Sequence, residues 1–291
     1  MAENIKIQLD DIYEPVTEKD IKTGKNFVLR RESVSNTLGS LVDALMEDAA
    51  ESIVQICYKY NIDPTSFTLS AEYNEEMFKK VAEVMDQLEE DIMELIEYYS
   101  TNCTKDKEKK SLLLLWILTL GRDNMSLQAT LHQRLMVFMK DLEAMIAVAK
   151  TAKFETTKVV SLIKSYLHTV YQMPGMTAAF RNASLYKARY IRTKGVKKGN
   201  VGNSNSEANN IIRFARLTQQ MAWMRYHRQM YDERGAAGYY VLRGSNYPCD
   251  LCDSRTGFHT IDEVDAFPPQ HYNCVCYTIP IFEKDINDLT E

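Results

Sequence analysis

No stretch of this 291-residue chain is apolar for long enough to cross a bilayer. The longest run, Leu112 to Leu120, has nine residues, whereas a spanning helix needs about 20. It reads instead as a buried core helix, and no membrane partner is expected. The opening Met1-Ala-Glu-Asn-Ile-Lys lacks the basic segment and apolar run of a secretory signal, which argues against an oxidising compartment and a disulfide framework. There is no Gly-rich phosphate loop of the Walker or dinucleotide type and no serine in a nucleophile elbow. His132, His168 and His227 stand singly on helical stretches. Asp250 and Asp253 form no pair of carboxylates with contrasting environments. Internal repeats and low-complexity tracts are missing too. These absences remove the usual signatures of catalysis, and no enzymatic activity is expected.

The composition, 45% hydrophobic and 26% charged, is that of a globular protein of one large or two medium domains. The charge is uneven. Residues 1–180 carry the acidic excess behind the net charge of −5, while residues 181–291 are net basic. Between Arg181 and Lys198, seven basic residues meet no acid. Arg189, Arg192, Lys194, Lys197 and Lys198 are the candidate phosphate contacts, whose binding would weaken with salt. A solvated loop, or a contact with an acidic neighbour, is the competing reading.

Most of the chain has a helical period. Residues 1–31 are polar without clear periodicity and read as an N-terminal arm. Leu38, Leu41, Val42, Leu45, Ala49, Ile53 and Cys57 then keep a three-to-four spacing, ended by Asn61-Ile62-Asp63-Pro64. Phe78, Val81, Met85, Leu88, Ile92, Leu95 and Tyr99 form a heptad seam with an acidic opposite face. We read it as one helix of a bundle within the chain, with a coiled coil between copies as the alternative. Further helices are expected at 109–121, 124–150, 154–171 and 176–192, making a helical domain over 32–194. Residues 195–206, rich in Gly, Asn, Ser and Lys, read as a linker or mobile loop. Ser204-x-x-Glu207 is a capping box that opens a long helix to about Glu233. Gly235 and Gly238 end it, and Tyr239 to Leu242 reads as a strand. The fold class is therefore mainly α, an N-terminal helical bundle followed by a small α+β C-terminal module.

That module holds the most specific signal. Four of the six cysteines fall in Cys249-x2-Cys252, eighteen intervening residues, then His271-x2-Cys274-x-Cys276. Two soft-ligand clusters at this spacing suit a tetrahedral structural zinc ion. The candidate metal ligands are Cys249, Cys252, His271, Cys274 and Cys276, one more than the ion needs. Pro268-Pro269 stiffens the approach to His271. Val275 to Ile279 reads as a strand, on which Cys274 and Cys276 share a face. His259 is read as lying outside the ligand set. A redox Cys-x2-Cys would open a helix after a strand, whereas here the loop-like Asp253-Ser254-Arg255-Thr256-Gly257 follows.

The order of long helix, glycine break, aromatic strand, Cys-x2-Cys, then Pro-Pro-x-His-x2-Cys-x-Cys and a strand ending at Pro280 resembles one family. It is similar to the C-terminal domain of the phage Mu F-like minor head proteins, the phage head morphogenesis family. The likeness covers about residues 205–282, within a domain bounded at 207–291. Two positions depart from the family pattern: Tyr272 stands where it usually has proline, and Val275 where it usually has arginine. The resemblance implies a virion component made in the bacterial host cytoplasm. It would be present in few copies at the portal or capsid interior and act in head assembly. Portal or capsid proteins would be its partners, with viral DNA and a second copy of the chain as further candidates, and DNA packaging or ejection as further roles. Two other readings compete: a zinc-stabilised nucleic-acid or protein-binding adaptor, and a His-Asn-His-type nuclease using His259 as its base.

Overall fold

A computed structural model describes residues 12–60, 66–121, 125–168, 207–246, 248–271 and 274–284. Its helices are α1 (Glu18–Lys59), α2 (Glu75–Thr101), α3 (Lys107–Leu118), α4 (Leu127–Thr151), α5 (Thr156–His168), α6 (Glu207–Glu233) and the single turn α7 (Asp250–Asp253). The strands are β1 (Gly238–Leu242), β2 (Gly257–Thr260) and β3 (Tyr277–Ile281). They form one antiparallel sheet in the order β2-β1-β3, with Tyr239 opposite His259 on one side and Pro280 on the other. The chain is thus mainly helical with a small C-terminal sheet. No helix among the described residues is long and apolar enough to cross a membrane.

The chain folds as two compact units, each drawn from separated stretches. Unit 2 comprises residues 38–96 and 118–215 and is helical wherever described, apart from short connecting loops. Its core takes Leu38, Val42, Met46 and Ile53 from α1 and Val81, Met85, Leu88 and Ile92 from α2. Leu131, Leu135, Phe138 and Leu142 of α4 and Val159 and Ile163 of α5 complete the layer. Ser126 caps α4, its hydroxyl accepting the Ala129 N–H at 3.1 Å. On α2 the buried stripe runs Met77, Val81, Met85, Leu88, Ile92, Ile96. It follows the predicted seam in the middle and leaves it at the ends, where Met77 and Ile96 replace Phe78 and Leu95. A straight helix of 3.6 residues per turn drifts off a strict heptad, so buried steps of four outnumber steps of three.

Unit 1 comprises residues 1–37, 97–117 and 216–291. These units cut across the contiguous segments 1–31, 32–194, 195–206 and 207–291 expected above. The largest difference is the N-terminal arm. Ile12 to Glu14 pair with Phe282 to Lys284 through Glu14 N–H to Phe282 O and Lys284 N–H to Ile12 O, both 2.8 Å. Helix α1 starts only a few residues later. Thr17 and Asp20 cap it reciprocally, the Thr17 N–H donating to Asp20 Oδ2 at 3.0 Å and the Asp20 N–H to Thr17 Oγ1 at 3.3 Å. Its buried positions Gly24, Val28, Arg31 and Ser35 do keep a helical period. Only one of the four is a large apolar residue, which hid the helix from a hydrophobic reading.

Alternation along the strands gives the sheet two covered faces. Tyr239 and Val241 look toward Met224 and Tyr231 of α6, toward Phe267, and toward Cys252, Cys274 and Cys276. Leu242, Tyr277 and Ile279 form the other face, against Val28 and Ile21 of α1. Here α1 comes very close. A Cβ on Gly24 would lie 2.8 Å from the Thr278 carbonyl oxygen and 3.0 Å from the Tyr277 ring, so a larger residue would push helix and strand apart. Helix α6 ends on Gly235 at φ 74°, with the Ala236 N–H bonded to Tyr231 O and the Gly235 N–H to Asp232 O, a Schellman turn that aims the chain into β1.

The Leu112–Leu120 run corrects the expectation of a buried core helix. Only Leu113 and Ile117 of α3 are buried, while Leu112 and Leu115 are 53% and 64% exposed. A continuous apolar run on a helix points in every direction, and α3 packs on one side only.

His227 of α6 is buried in unit 1, its ring stacked on Phe27 with centroids 3.8 Å apart. Burial, then the charges of Arg31 and Arg234, push its pKa down to about 3. The unfolded chain binds this proton near pH 6.5 and the folded chain only near pH 3, so stability falls as pH drops through that window. Between pH 7 and pH 5 the native protein should lose about 2 kcal/mol more than a His227→Phe variant. Urea unfolding at both pH values measures it, and parallel losses in the two proteins would refute the assignment.

Candidate metal centre

The two sequence clusters meet at one place in unit 1. Cys249 precedes the single turn α7 and its carbonyl accepts the Asp253 N–H at 2.8 Å, a compact knuckle that presents both Cys249 and Cys252. Asp253 also takes the Cys249 N–H at 3.3 Å and pairs with Arg243 at the end of β1. Opposite it, the chain leaves the 3-10 turn Val264–Ala266, passes the cis Pro268-Pro269 bond and reaches His271. Gln270 Nε2 donates to the Ala266 carbonyl at 2.9 Å, and the Cys274 N–H donates to the His271 carbonyl at 3.1 Å. These bonds fix Gln270 over Ala266 and set Cys274 beside His271. Cys274 and Cys276 precede β3 and point to the same face, as their spacing predicts, while Val275 and Tyr277 point to the other.

All five sequence-predicted ligands are therefore brought together, in two overlapping triads. Cys249, Cys252 and His271 form one; Cys252, Cys274 and Cys276 form the other; within each, the donor atoms lie within 4.8 Å of one another. His271 Nε2 is 3.2 Å from Cys249 Sγ and 3.0 Å from Cys252 Sγ, and Cys252 Sγ is 3.8 Å from Cys274 Sγ. A zinc ion bonded to sulfur at about 2.3 Å and nitrogen at about 2.05 Å spans S–S edges of about 3.8 Å and S–N edges of about 3.6 Å. The sulfur edge matches, and the two nitrogen edges need a few tenths of an ångström of opening. The donor chemistry of each triad, and the spacings within it, suit a soft-ligand cation, and the two triads are potential metal-binding sites.

The bare thiols influence one another's ionisation. Burial, followed by the neighbouring Cys274, pushes Cys252 up to about 12. A hydrogen bond between Cys274 and Cys276 draws the first down and the second up, since they share a proton. Three buried sulfurs cannot all ionise side by side without a cation among them, and a divalent ion reverses that balance.

His259 is engaged elsewhere. It lies on β2, its Nδ1 2.9 Å from Glu263 Oε2 and its Nε2 3.0 Å from the Arg255 carbonyl. Both ring nitrogens are engaged in holding the β2 turn. The candidate phosphate contacts Arg189, Arg192, Lys194, Lys197 and Lys198, and the capping residue Ser204, lie outside the described residues.

One residue beside the site was not foreseen. Arg31 of α1 is fully buried and donates from Nη2 to the Cys274 carbonyl at 2.5 Å. An arginine on a polar stretch ordinarily reads as surface, and its partner is more than 240 residues away. The only available signal was the helical register that Arg31 shares with Gly24, Val28 and Ser35.

Compared with protein-family models, curated proteins and solved structures, the chain matches none.

Proposed function

We propose that this chain is a structural minor head protein of a bacteriophage, acting in capsid assembly at the portal or capsid interior, with a C-terminal module built around one structural zinc ion. The meeting of Cys249, Cys252, His271, Cys274 and Cys276 in two triads that share Cys252 supports the reading. The motif order that resembles the Mu F-like family is thereby gathered into a spatial cluster, with α6, the Gly235 turn and β1 leading into it. Cys249, Cys252 and His271 would be three ligands. Cys274 would be the fourth, on its 3.8 Å edge to Cys252, leaving Cys276 as a neighbour that shares its proton. Four protein donors leave no coordination position for a substrate water, so the ion's task is to hold structure. The helical unit would supply surface for portal or capsid contacts.

Two measurements separate the parts of this reading. Purified full-length protein should contain about one zinc per chain by elemental mass spectrometry, as a single tetrahedral site requires. Metal-free protein with four freely titratable cysteines in this module would remove the zinc. Quantitative mass spectrometry of purified particles from the phage encoding this chain should find it at a few copies beside the portal protein. Particles that hold portal and major capsid protein but lack this chain would overturn the assembly role.

A further inference from the structure

Arg31 is 0% exposed, and a guanidinium so completely removed from water needs a reason. Its Nη2 reaches the Cys274 carbonyl at 2.5 Å and Glu32 Oε1 at 3.0 Å, and its Nε lies 3.3 Å from the same carboxylate oxygen. That carboxylate is not Arg31's alone. Gln220 Nε2 donates to Glu32 Oε1 at 2.9 Å, and Arg216 Nη2 lies 3.8 Å from Glu32 Oε2. Ser35 Oγ ties the group together, accepting from Arg216 Nε and from Gln220 Nε2, both at 3.2 Å. Two arginines thus share one carboxylate, a local excess of one positive charge. Arg31 Nη1 is buried with no hydrogen-bond partner among the described residues.

We propose that Arg31 is a positioning residue of the metal site, which orients the Cys274 peptide and balances the charge of the loaded centre. The inference rests on the zinc reading above. A zinc ion with three thiolates and one neutral imidazole carries one net negative charge, and the excess cation on α1 is its counterpart. The bond to the Cys274 carbonyl fixes the peptide that follows the His271 turn, so the Cys274 thiolate arrives already aimed. Backbone donors and acceptors around ligands act in this way in metal sites generally, setting ligand orientation and tuning affinity. The consequence reaches beyond the site. Because Arg31 sits on the same face of α1 as Gly24 and Val28, which cover β3, metal binding and docking of residues 18–37 become one event.

The test uses full-length protein, zinc, a chelating competitor of known affinity and amide hydrogen exchange. Stripping zinc from the native protein should raise exchange across residues 24–35 of α1 while residues 42–57 of the same helix keep their protection. Arg31→Met, which keeps the bulk and removes the charge and donors, should weaken zinc binding about 10- to 100-fold, the usual range for outer-shell partners. Arg31→Lys, which keeps the charge but not the fork of donors, should fall between the two. Unchanged exchange in α1 on zinc removal, or affinities within twofold of native in both variants, would overturn the inference while leaving the zinc site intact. Native protein that binds no zinc would overturn both, and that result is read before any variant is made. Should the methionine variant fail to fold, the lysine variant and the native exchange experiment still decide.

Discussion

Replacing Cys252 with serine is expected to abolish zinc binding and unfold the C-terminal module. Cys252 is the one residue common to both triads, so its loss leaves neither triad complete. Cys276→Ser should retain most of the metal, because Cys249, Cys252, His271 and Cys274 remain. The magnitudes make the contrast large. A structural zinc contributes about 10–16 kcal/mol of apparent binding free energy at neutral pH, whereas a whole domain is stable by about 5–15 kcal/mol. The three-stranded sheet has strands of only four or five residues. Its inner face packs on Cys252, Cys274 and Cys276 themselves, so the candidate ligands are also core. Elemental analysis with hydrogen exchange over residues 238–281 reads the outcome. Zinc content and protection equal to the native protein in Cys252→Ser would refute the shared-ligand geometry.

The second large effect is at Trp223, which is 1% exposed in unit 1. Its indole N–H donates to the Tyr99 carbonyl at 2.9 Å, joining α6 to the last turn of α2. The Arg30 guanidinium lies over its ring at 5.4 Å, and the Phe27 ring sits 6.1 Å away. Trp223→Ala removes the largest fully buried side chain of the structure and leaves a cavity, a loss of about 3–5 kcal/mol. Trp223→Phe keeps much of the bulk but strands the Tyr99 carbonyl, and should cost about 1–3 kcal/mol. Denaturant unfolding of both variants checks the order. A loss below about 1 kcal/mol for the alanine variant would mean that the helix contact is not closed as described.

What could be read from residues alone divides along a physical line. Helices whose buried stripe is apolar were visible: the second half of α1, the middle of α2, α4 and α6. So was the Gly235 ending of α6, because a left-handed turn demands glycine there. The Cys/His cluster was visible too, since paired cysteines and histidine at those spacings suit a metal ion. The first half of α1 was not, because close approach at Gly24 and polar burial at Arg31 and Ser35 replaced the apolar residues that mark a helix face. The same substitution of chemistry for hydrophobicity hid Arg31's link to Cys274. The sheet order β2-β1-β3 and the bridge from Tyr13 to Glu283 depend on pairings between distant segments, which local periodicity does not encode. The exposed side of α3 was misjudged for the opposite reason, since an unbroken apolar run says nothing about how many neighbours a helix has.

Because Gly24, Val28 and Arg31 cover a sheet whose last strand ends at Ile281, unit 1 cannot be completed piecemeal. At ordinary rates of translation, residues 216 onward emerge roughly 10–40 s after residue 37. Throughout that interval the first half of α1 leaves the ribosome with its sheet-facing side bare, awaiting the final strand. The two cysteine clusters therefore meet only late in the birth of the molecule, and a nascent chain interrupted before Cys274 has neither a complete cluster nor a seat for its own beginning.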